Sequence, residues 1–231
     1  MTVKSFVDDI FSSVSNKYDI MNDLMSVGIH RIWKRQFIKC IDILPNSKLL
    51  DVASGTGDIA ISVLKKYKST KVTVCDKNES MLEIAKNKLI DKNLLNTDVI
   101  CADAQSLPFQ DNFFDYYTVA FGMRNFSDAN AALKEALRVL KPGGKFCCLE
   151  FSNVENKCIA RLYEIYSYNL IPFIGSKVTG NRSAYEYLVE SIRQFPEAEE
   201  FSCMIEQTGF TAVKYKKMSF GVVAMHFGMK I

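Results

Sequence analysis

From Lys48 onward the chain alternates short apolar runs with amphipathic helical segments, and this rhythm restricts the fold more than any other feature. A repeated strand–helix–strand unit requires a parallel sheet, because each helix carries the chain back across the sheet in a right-handed crossover. The strand-like runs are residues 49–53, 71–75, 98–101, 116–121 and 145–151, and the helical patterns are residues 57–67, 79–90 and 129–140.

The two ends of the chain depart from this rhythm. Residues 5–43 place large apolar residues at helical spacing, and Pro45 closes that segment, so a helical N-terminal extension is expected. Residues 156–208 have helical character interrupted by prolines and glycines. The last two strand-like runs, 211–218 and 221–229, are joined by a tight connection, which predicts an antiparallel hairpin. The prediction is an α/β fold with a mostly parallel seven-stranded sheet.

Composition and charge exclude several classes of protein. The 231 residues are 48% hydrophobic and 24% charged, which is typical of a folded globular chain. A net charge of +3 is too small to indicate nucleic acid as a main partner. The densest basic stretch, His30 to Lys39, also contains Trp33 and Phe37, so it suits either a membrane surface or a solvated helix face.

The sequence also bears on location and metal chemistry. No apolar run reaches the length of about 18 residues that suggests a membrane span, and the N-terminus carries Asp8 and Asp9 instead of a signal peptide. A cytoplasmic protein is therefore expected, with peripheral membrane contact left open. The seven cysteines form no C-x-x-C pair, so neither a metal site nor a disulfide framework is predicted.

The loop from Asp51 to Asp58 lies where an open α/β sheet binds its ligand, at the carboxyl end of the first strand. Gly55 and Gly57 allow the backbone to approach a ligand, and the following helix offers free amides. The glycines with Ala60 also satisfy the G-x-G-x-x-G/A pattern of dinucleotide-binding enzymes. The loop alone therefore leaves two cofactor classes open.

Three acids favour a nucleoside site over a pyrophosphate. Asp51, Asp76 and Asp103 follow the first, second and third strands, and Asp76 lies where an acid can accept hydrogen bonds from ribose hydroxyls. Asp103 and Ala104 are placed where they could bind the edge of an adenine ring. Carboxylates attract the sulfonium and ammonium groups of S-adenosylmethionine and repel phosphates. The alternative interpretation makes each acid a turn or cap residue.

Two long stretches resemble the ubiquinone/menaquinone biosynthesis C-methyltransferases, often called the UbiE family. They are Tyr18 to Ser26, continuing to His30 and Trp33, and Arg138 to Ser152. The resemblance extends to Phe121–Asn125 and to the terminal hairpin, so it spans nearly the whole chain. Departures from the family pattern are small and include Ser54 and Ala120.

The resemblance implies a Rossmann-like class I methyltransferase that uses S-adenosyl-L-methionine. Its reaction would be C-methylation of a polyprenylated quinol, in menaquinone or ubiquinone biosynthesis. The division of the single domain would be 1–46 as helical extension or lid, 47–152 as cofactor-binding core, and 153–231 as substrate-side helices and hairpin. A homodimer or a quinone-biosynthesis complex is compatible with it. The cofactor residues that carry over are Thr56, Asp76, Asp103 and Ala104, beside Asp51, Gly55 and Gly57 from the loop.

The catalytic prediction follows from the chemistry of methyl transfer, in which an aromatic carbon attacks the electrophilic methyl group of the cofactor. Attack requires a phenolate next to that carbon, so a cation or a base must stand beside the oxygen. We expect Arg124 to stabilise the phenolate, Asn125 to orient the substrate, and Asp58 to assist through a water. An ion pair between Arg124 and Asp58 is the structural alternative, and His30 is the alternative base.

The remaining expectations concern the lid and the rival functions. Residues Tyr163 to Ile174 are expected to wall the cleft for the isoprenoid tail, and Tyr18 and Asn22 to help close over the cofactor. The rivals are a methyltransferase for another lipid or small molecule, a nicotinamide-dependent oxidoreductase, and a non-catalytic scaffold of a quinone-synthesis complex. Binding of NAD(H) without binding of adenosylmethionine would favour the oxidoreductase.

Overall fold

The structure is a computed structural model that describes residues 23, 26, 28–95, 97–152, 154 and 182–231. The predictions for Tyr18, Asn22 and the segment 163–174 lie outside these residues. In chain order the helices are α1 (His30–Ile41), α2 (Asp58–Lys66), α3 (Glu79–Asp91), α4 (Ala129–Val139), α5 (Arg182–Gln194) and α6 (Ala198–Thr208). The strands are β1 (Lys48–Val52), β2 (Lys71–Asp76), β3 (Thr97–Cys101), β4 (Phe114–Ala120), β5 (Leu140–Phe151), β6 (Thr211–Met218) and β7 (Val223–Met229).

The seven strands form one sheet in the order β3-β2-β1-β4-β5-β7-β6. The five strands from β3 to β5 pair in parallel, whereas β7 is antiparallel to both β5 and β6. The predicted parallel sheet and terminal hairpin are therefore confirmed. Strand order reverses between β2 and β4 on either side of β1, so a crevice opens at the carboxyl end of β1.

Helices cover both faces of the sheet because its central strands alternate their side chains between two apolar layers. Leu49 of β1 belongs to the layer beneath α1, α2 and α3, and the neighbouring Leu50 belongs to the layer beneath α4 and α6. Both leucines are fully buried. Central strands that are apolar on both faces are expected for a doubly covered parallel sheet, and they give the site a rigid base.

The helix α1 is held to the sheet by aromatic packing and by one long-range hydrogen bond. Trp33 lies 6.2 Å from both Phe121 and Phe151 between ring centroids. Its indole nitrogen donates to Ser219 Oγ at 2.8 Å, in the short turn between β6 and β7. The N-terminal extension and the C-terminal hairpin, which are distant in sequence, therefore meet at Trp33.

Two details differ from the pattern-based expectations. Asp51 lies inside β1 instead of following it. The fifth strand was expected at residues 145–151, but β5 begins at Leu140 and includes Pro142–Gly144, and its register with β4 shifts between Phe114 and Tyr116. A side chain at Gly144 would come within 2.7 Å of the Lys141 carbonyl oxygen, so this irregularity needs glycine.

The described residues contain neither a membrane-spanning helix nor a cluster of metal ligands. None of their helices is both long enough and apolar enough to cross a membrane. Within the same residues, no group of three or more histidine, cysteine, aspartate and glutamate side chains could hold a metal ion.

Candidate active site

The loop between β1 and α2 is shaped by residues with positive φ and is tied to β2. Gly55 and Gly57 have φ values of 53° and 81°, and a side chain on Gly57 would come within 3.2 Å of Ala85 Cβ. The amide of Gly55 donates to Asp76 Oδ2 at 2.8 Å. Glycine is therefore required at Gly57 for both conformation and space. The loop and the carboxylate at the end of β2 form one unit.

Asp76 and Asp103 lie on a common cavity with Ala104, as expected for residues at the carboxyl ends of parallel strands. Asp76 Oδ1 accepts the Asn78 amide at 2.9 Å, so each carboxylate oxygen holds one backbone donor. A carboxylate offers about four acceptor positions, so one such group can accept from several donors, ribose hydroxyls included. Asp103 Oδ1 accepts from the backbone and side-chain nitrogens of Gln105, at 3.0 and 2.9 Å.

The cavity has a volume of about 510 Å³, within the range of small-molecule sites. Its walls come from the loop, from the acids of β2 and β3, from the segment after β4 and from α5. Lining residues include Ala53, Gly55, Asp76, Met81, Asp103, Ala104, Phe121, Arg124, Asn125, Phe126, Tyr187 and Phe195. The cavity therefore combines residues suited to a nucleoside with a cation and aromatic rings.

Asp51 belongs to the interior of the site instead of its surface. Its side chain is buried, accepts the Ala60 amide at 3.2 Å, and is 2.9 Å from the Thr118 hydroxyl. Burial raises the pKa of Asp51 to about 7, because removing a carboxylate from water disfavours its charged form. It lines a smaller cavity that shares Ala53, Gly55 and Phe121 with the large one.

Asp58 and Thr56 are held by two lysines. Lys34 of α1 donates to Asp58 Oδ2 at 2.8 Å, and Lys88 of α3 lies 3.5 Å from Asp58 Oδ1. Lys88 also donates to the Thr56 hydroxyl at 2.9 Å. Although burial of Asp58 acts in the opposite direction, the two ammonium groups keep its pKa below the ordinary value. Asp58 and Thr56 line the smaller cavity.

Arg124 pairs with Glu150, so the predicted alternative of an ion pair with Asp58 is wrong. Its Nη1 donates to Glu150 Oε1 at 2.9 Å and to the Phe121 carbonyl oxygen at 2.5 Å. The side chains of Arg124 and Glu150 are 5% and 0% exposed. Arg124 Nε is buried and has no hydrogen-bond partner among the described residues. The structure does not bring Asp58 to Arg124, because lysines of α1 and α3 hold that carboxylate elsewhere.

Asn125 is oriented by Tyr187, a residue that no sequence motif singled out. Tyr187 of α5 donates its hydroxyl to Asn125 Oδ1 at 3.2 Å, and both residues line the large cavity. Burial raises the pKa of Tyr187, so the phenol stays a neutral donor. Glu150 was also missed, although an acid within the apolar strand β5 is a recognisable signal. No sequence pattern pointed to Tyr187, because helix α5 meets the site only through tertiary packing.

His30 lacks the properties of a general base. Its imidazole is buried, and burial together with the charge of Lys34 lowers its pKa to about 4. Its Nε2 lies 3.3 Å from Asp23 Oδ1. It lines neither of the two cavities described above.

Solved structures of methyltransferases share this fold. The chain aligns with a SAM-dependent methyltransferase from Thermotoga maritima with a TM-score of 0.69 and 21% identity, covering 97% of this chain and 100% of that one. It also aligns with a phosphoethanolamine N-methyltransferase from Haemonchus contortus in complex with S-adenosylhomocysteine, with a TM-score of 0.66 and 14% identity. That alignment covers 86% of this chain and 52% of the other.

The cavity fits the cofactor of this class, since it joins the glycine loop to the acids of β2 and β3. The protein is an S-adenosylmethionine-dependent methyltransferase. Residues 1–230 match the ubiE/COQ5 methyltransferase family, and the chain belongs to that family. It is 54% identical to the ubiquinone/menaquinone biosynthesis C-methyltransferase UbiE of Rickettsia bellii, over 99% of this chain and 94% of that protein. Identity to the Rickettsia prowazekii enzyme is also 54%, over 97% of this chain and 92% of that one.

Proposed function

We propose that this enzyme methylates a ring carbon of a polyprenylated quinol, either demethylmenaquinol or 2-polyprenyl-6-methoxy-1,4-benzoquinol. The observation that carries the proposal is the buried Arg124, which lines the same cavity as Asp76 and Asp103. A fixed cation in that cavity suits an acceptor whose oxygen becomes negative during the reaction. The names of the relatives, which refer to ubiquinone and menaquinone biosynthesis, agree with such a substrate.

S-adenosylmethionine supplies an electrophilic methyl group on a sulfonium when it is bound. A guanidinium donates hydrogen bonds and has no acceptor atom, so Arg124 stabilises a phenolate and does not remove the proton. Glu150 and the Phe121 carbonyl oxygen hold the guanidinium in one position. Preorganised charge of this kind needs no rearrangement as the phenolate forms, which is why it lowers the barrier.

Asn125 and Tyr187 orient the quinol ring beside Arg124. Because the Tyr187 hydroxyl donates to Asn125 Oδ1, the Asn125 amide nitrogen is directed to other acceptors. A ring oxygen is such an acceptor. Phe126 and Phe195, which line the same cavity, supply apolar contacts for the ring and the start of the tail. We also propose that the chain is one domain with divisions at residues 46 and 152. Residues 1–46 would form its lid.

The substrate assignment is tested with methyl-labelled S-adenosylmethionine. The purified enzyme is incubated with each reduced quinol, and mass spectrometry locates the label. We expect a ring C-methyl product from at least one quinol. Absence of ring methylation on both quinols, with S-adenosylhomocysteine still bound, would refute the substrate and leave the cofactor assignment intact.

The role of Arg124 is tested by Arg124→Ala. Loss of one preorganised stabilising donor typically lowers kcat by roughly 10²- to 10³-fold, whereas affinity for S-adenosylhomocysteine should stay within a few-fold. Arg193→Ala, which removes an exposed arginine of α5, is the control and should keep both properties. Arg124→Lys, which retains the partner charge for Glu150, should recover part of the rate. Unchanged turnover in Arg124→Ala would exclude the stabilising role.

Peripheral membrane contact is the second part of the proposal, since a polyprenylated substrate resides in a bilayer. Phe220, in the turn between β6 and β7, is 75% exposed, and Ile32 on α1 is 55% exposed. The Trp33–Ser219 hydrogen bond brings these two segments together. Arg35 of α1 and Lys217 of β6 add positive charge that anionic lipids attract. The protein would then be cytoplasmic and bind the membrane reversibly.

Vesicle sedimentation tests the membrane contact. Vesicles with anionic lipid should retain the enzyme at low salt and release it at high salt, and Phe220→Ser should weaken retention. Equal retention of Phe220→Ser and wild type would exclude this surface.

A homodimer or a complex with other quinone-biosynthesis enzymes is a further proposal. Analytical ultracentrifugation at several concentrations measures whether the homodimer forms.

A further inference from the structure

Arg138, near the end of α4, uses all of its hydrogen-bond donors on acceptors of the protein. Its Nε and Nη2 donate to the two carboxylate oxygens of Glu135, at 2.6 and 2.8 Å. Its Nη1 donates to the Phe109 carbonyl oxygen and to Asp111 Oδ1, both at 2.7 Å. Its Nη2 also donates to the Leu107 carbonyl oxygen at 3.0 Å. A guanidinium has five N–H donors, so these bonds occupy all of them and Arg138 serves the fold.

Glu135 completes the hold on the loop between β3 and β4. Its Oε2 accepts the Leu107 amide at 2.7 Å, so both backbone groups of Leu107 bond to side chains of α4. The pKa of Glu135 lies below its ordinary value, chiefly because Arg138 donates hydrogen bonds to it. Hydrogen bonds to an ionised group are roughly twice as strong as those between neutral groups. Glu135 and Arg138 together are called the α4 clamp below.

The loop that the α4 clamp holds has no regular structure of its own. It runs from residue 102 to residue 113, and none of these residues belongs to a helix or a strand. Connecting loops are usually more mobile than the elements they join. This loop is anchored at two points, because the Ala102 amide donates to the Asp76 carbonyl oxygen at 3.0 Å and the clamp holds Leu107. Only residues 103–106 lie between the two anchors.

Three of the four residues between the anchors line the large cavity: Asp103, Ala104 and Gln105. Ala104 and Leu107 both pack in the apolar layer beneath α4 and α6. The Asp103 carbonyl oxygen accepts the Ser106 amide at 3.0 Å, which makes the span between the anchors a tight turn. A displacement of Leu107 would therefore move Asp103 and Ala104 as well.

We infer that Glu135 and Arg138 are positioning residues for the adenine ring of the cofactor, because they fix the loop that presents the Asp103 carboxylate and the Ala104 amide. Neither residue of the clamp lines the large cavity, so both act through the loop. Adenine presents an amine donor beside a ring acceptor, which a carboxylate and an amide N–H complement. Hypoxanthine presents an oxygen and an N–H at the same two places, so it reverses both contacts. This inference rests on the cofactor-binding part of the proposed function and is independent of the quinol.

The test compares S-adenosylhomocysteine with S-inosylhomocysteine, in which hypoxanthine replaces adenine. Titration calorimetry gives the dissociation constants of both ligands for wild type, Arg138→Met and Lys230→Met. A hydrogen bond to a charged group corresponds to roughly 10- to 100-fold in affinity, so wild type should prefer S-adenosylhomocysteine by at least that factor. Arg138→Met should retain no more than about a tenth of this preference, because the loop no longer holds both groups against the adenine edge.

Lys230→Met is the matched control for a weakened end of α4. Lys230 Nζ donates to the Arg138 carbonyl oxygen at 3.3 Å and to Asn112 Oδ1 at 2.8 Å, which lie outside residues 103–109. This variant should lower the melting temperature and keep the wild-type preference. A purely structural role of the clamp would likewise change the melting temperature and leave the preference as it is.

Two more variants keep the test decisive. Arg138→Lys retains a positive charge for Glu135 and should recover part of the preference. Glu135→Ala removes the acceptor of the Leu107 amide, so it takes the place of Arg138→Met should that variant not fold. Thermal melting reports the folding of each protein.

Three results would overturn the inference. The first is a folded clamp variant that prefers S-adenosylhomocysteine as strongly as wild type. The second is an equal loss of preference in Lys230→Met, which would make the effect a general consequence of weakening α4. The third is a wild type that binds both ligands equally. Binding of neither ligand would overturn the cofactor assignment and this inference with it. Failure of quinol methylation with the preference intact would refute the substrate and leave the clamp in its role.

Discussion

Replacing Asp51 with asparagine should stabilise the cofactor-free protein and lower its affinity for the cofactor. The Asp51 side chain is 1% exposed and lies within hydrogen-bond distance of the Thr118 hydroxyl and the Ala60 amide. An asparagine oxygen can accept from Ala60, and its amide nitrogen can donate to Thr118 Oγ1. The Thr118 hydroxyl can then donate to the Leu50 carbonyl oxygen, 3.3 Å away. The neutral side chain therefore satisfies the same groups.

The size of the stability gain follows from the pKa of Asp51, which burial raises from 3.8 to about 7. Below pH 4 the carboxyl is protonated in both the folded and the unfolded protein, so it contributes nothing. Between pH 4 and 7 only the unfolded chain ionises, and the folded state loses stability as the pH rises. Because each unit of pKa difference is worth about 1.4 kcal/mol, the full cost above pH 7 is roughly 4 kcal/mol.

Urea unfolding of wild type and Asp51→Asn from pH 5 to pH 8, without cofactor, measures this cost. The difference in unfolding free energy between the two proteins should grow by about 2 to 3 kcal/mol across that range. His30 and His226, whose pKa values are lowered to about 4, also make stability depend on pH. They act in both proteins, so they cancel in the difference. Affinity for S-adenosylhomocysteine should fall, because the α-ammonium of this ligand would lose the negative charge of Asp51. A difference that stays flat from pH 5 to pH 8 would refute the argument.

Three further predictions concern residues that support the site. Gly122→Ala should destabilise the fold by roughly 1–3 kcal/mol in urea, since the added methyl would lie 2.5 Å from Ala53 Cβ. Ala53→Gly in the same chain should restore much of that loss, and no restoration would exclude the clash as its cause. Glu150→Gln should cost roughly 3–5 kcal/mol and slow turnover, because buried Arg124 loses its ionic partner; a thermal melt matching wild type would contradict this. Trp33→Phe and Ser219→Ala should each lower stability by about 1 kcal/mol and be non-additive in a double-mutant cycle, because they remove the same hydrogen bond. Full additivity would mean that the bond contributes nothing.

Much of the fold followed from local patterns. The alternation of apolar runs with amphipathic helices predicted the parallel sheet, since a strand buried on both faces must be apolar along its length. The same alternation placed Asp76 and Asp103 at the carboxyl ends of β2 and β3, and both line the large cavity. The tight connection before Gly221 predicted the hairpin of β6 and β7, because such short links join only antiparallel neighbours.

The partners of the charged residues did not follow from local patterns. An ion pair between Asp58 and Arg124 was one of two alternatives for Arg124, yet Asp58 binds Lys34 and Lys88 while Arg124 binds Glu150. Each of these pairs joins residues that are 24 to 30 positions apart in the chain. Which charges approach one another depends on how α1 and α3 pack against the loop and on the pairing of β4 with β5.

The amino-acid sequence by itself determined the sheet, the cofactor loop and the family, because these depend on periodicity, glycine positions and motifs that are local in the chain. Only the tertiary structure decided which side chains are buried together. Burial is what turns Asp51 from an ordinary carboxylate into a group with a pKa of about 7, and packing is what brings Tyr187 to Asn125 and Lys34 to the cofactor loop. Desolvation and long-range contact are properties of the assembled molecule, so no pattern along the chain encodes them directly.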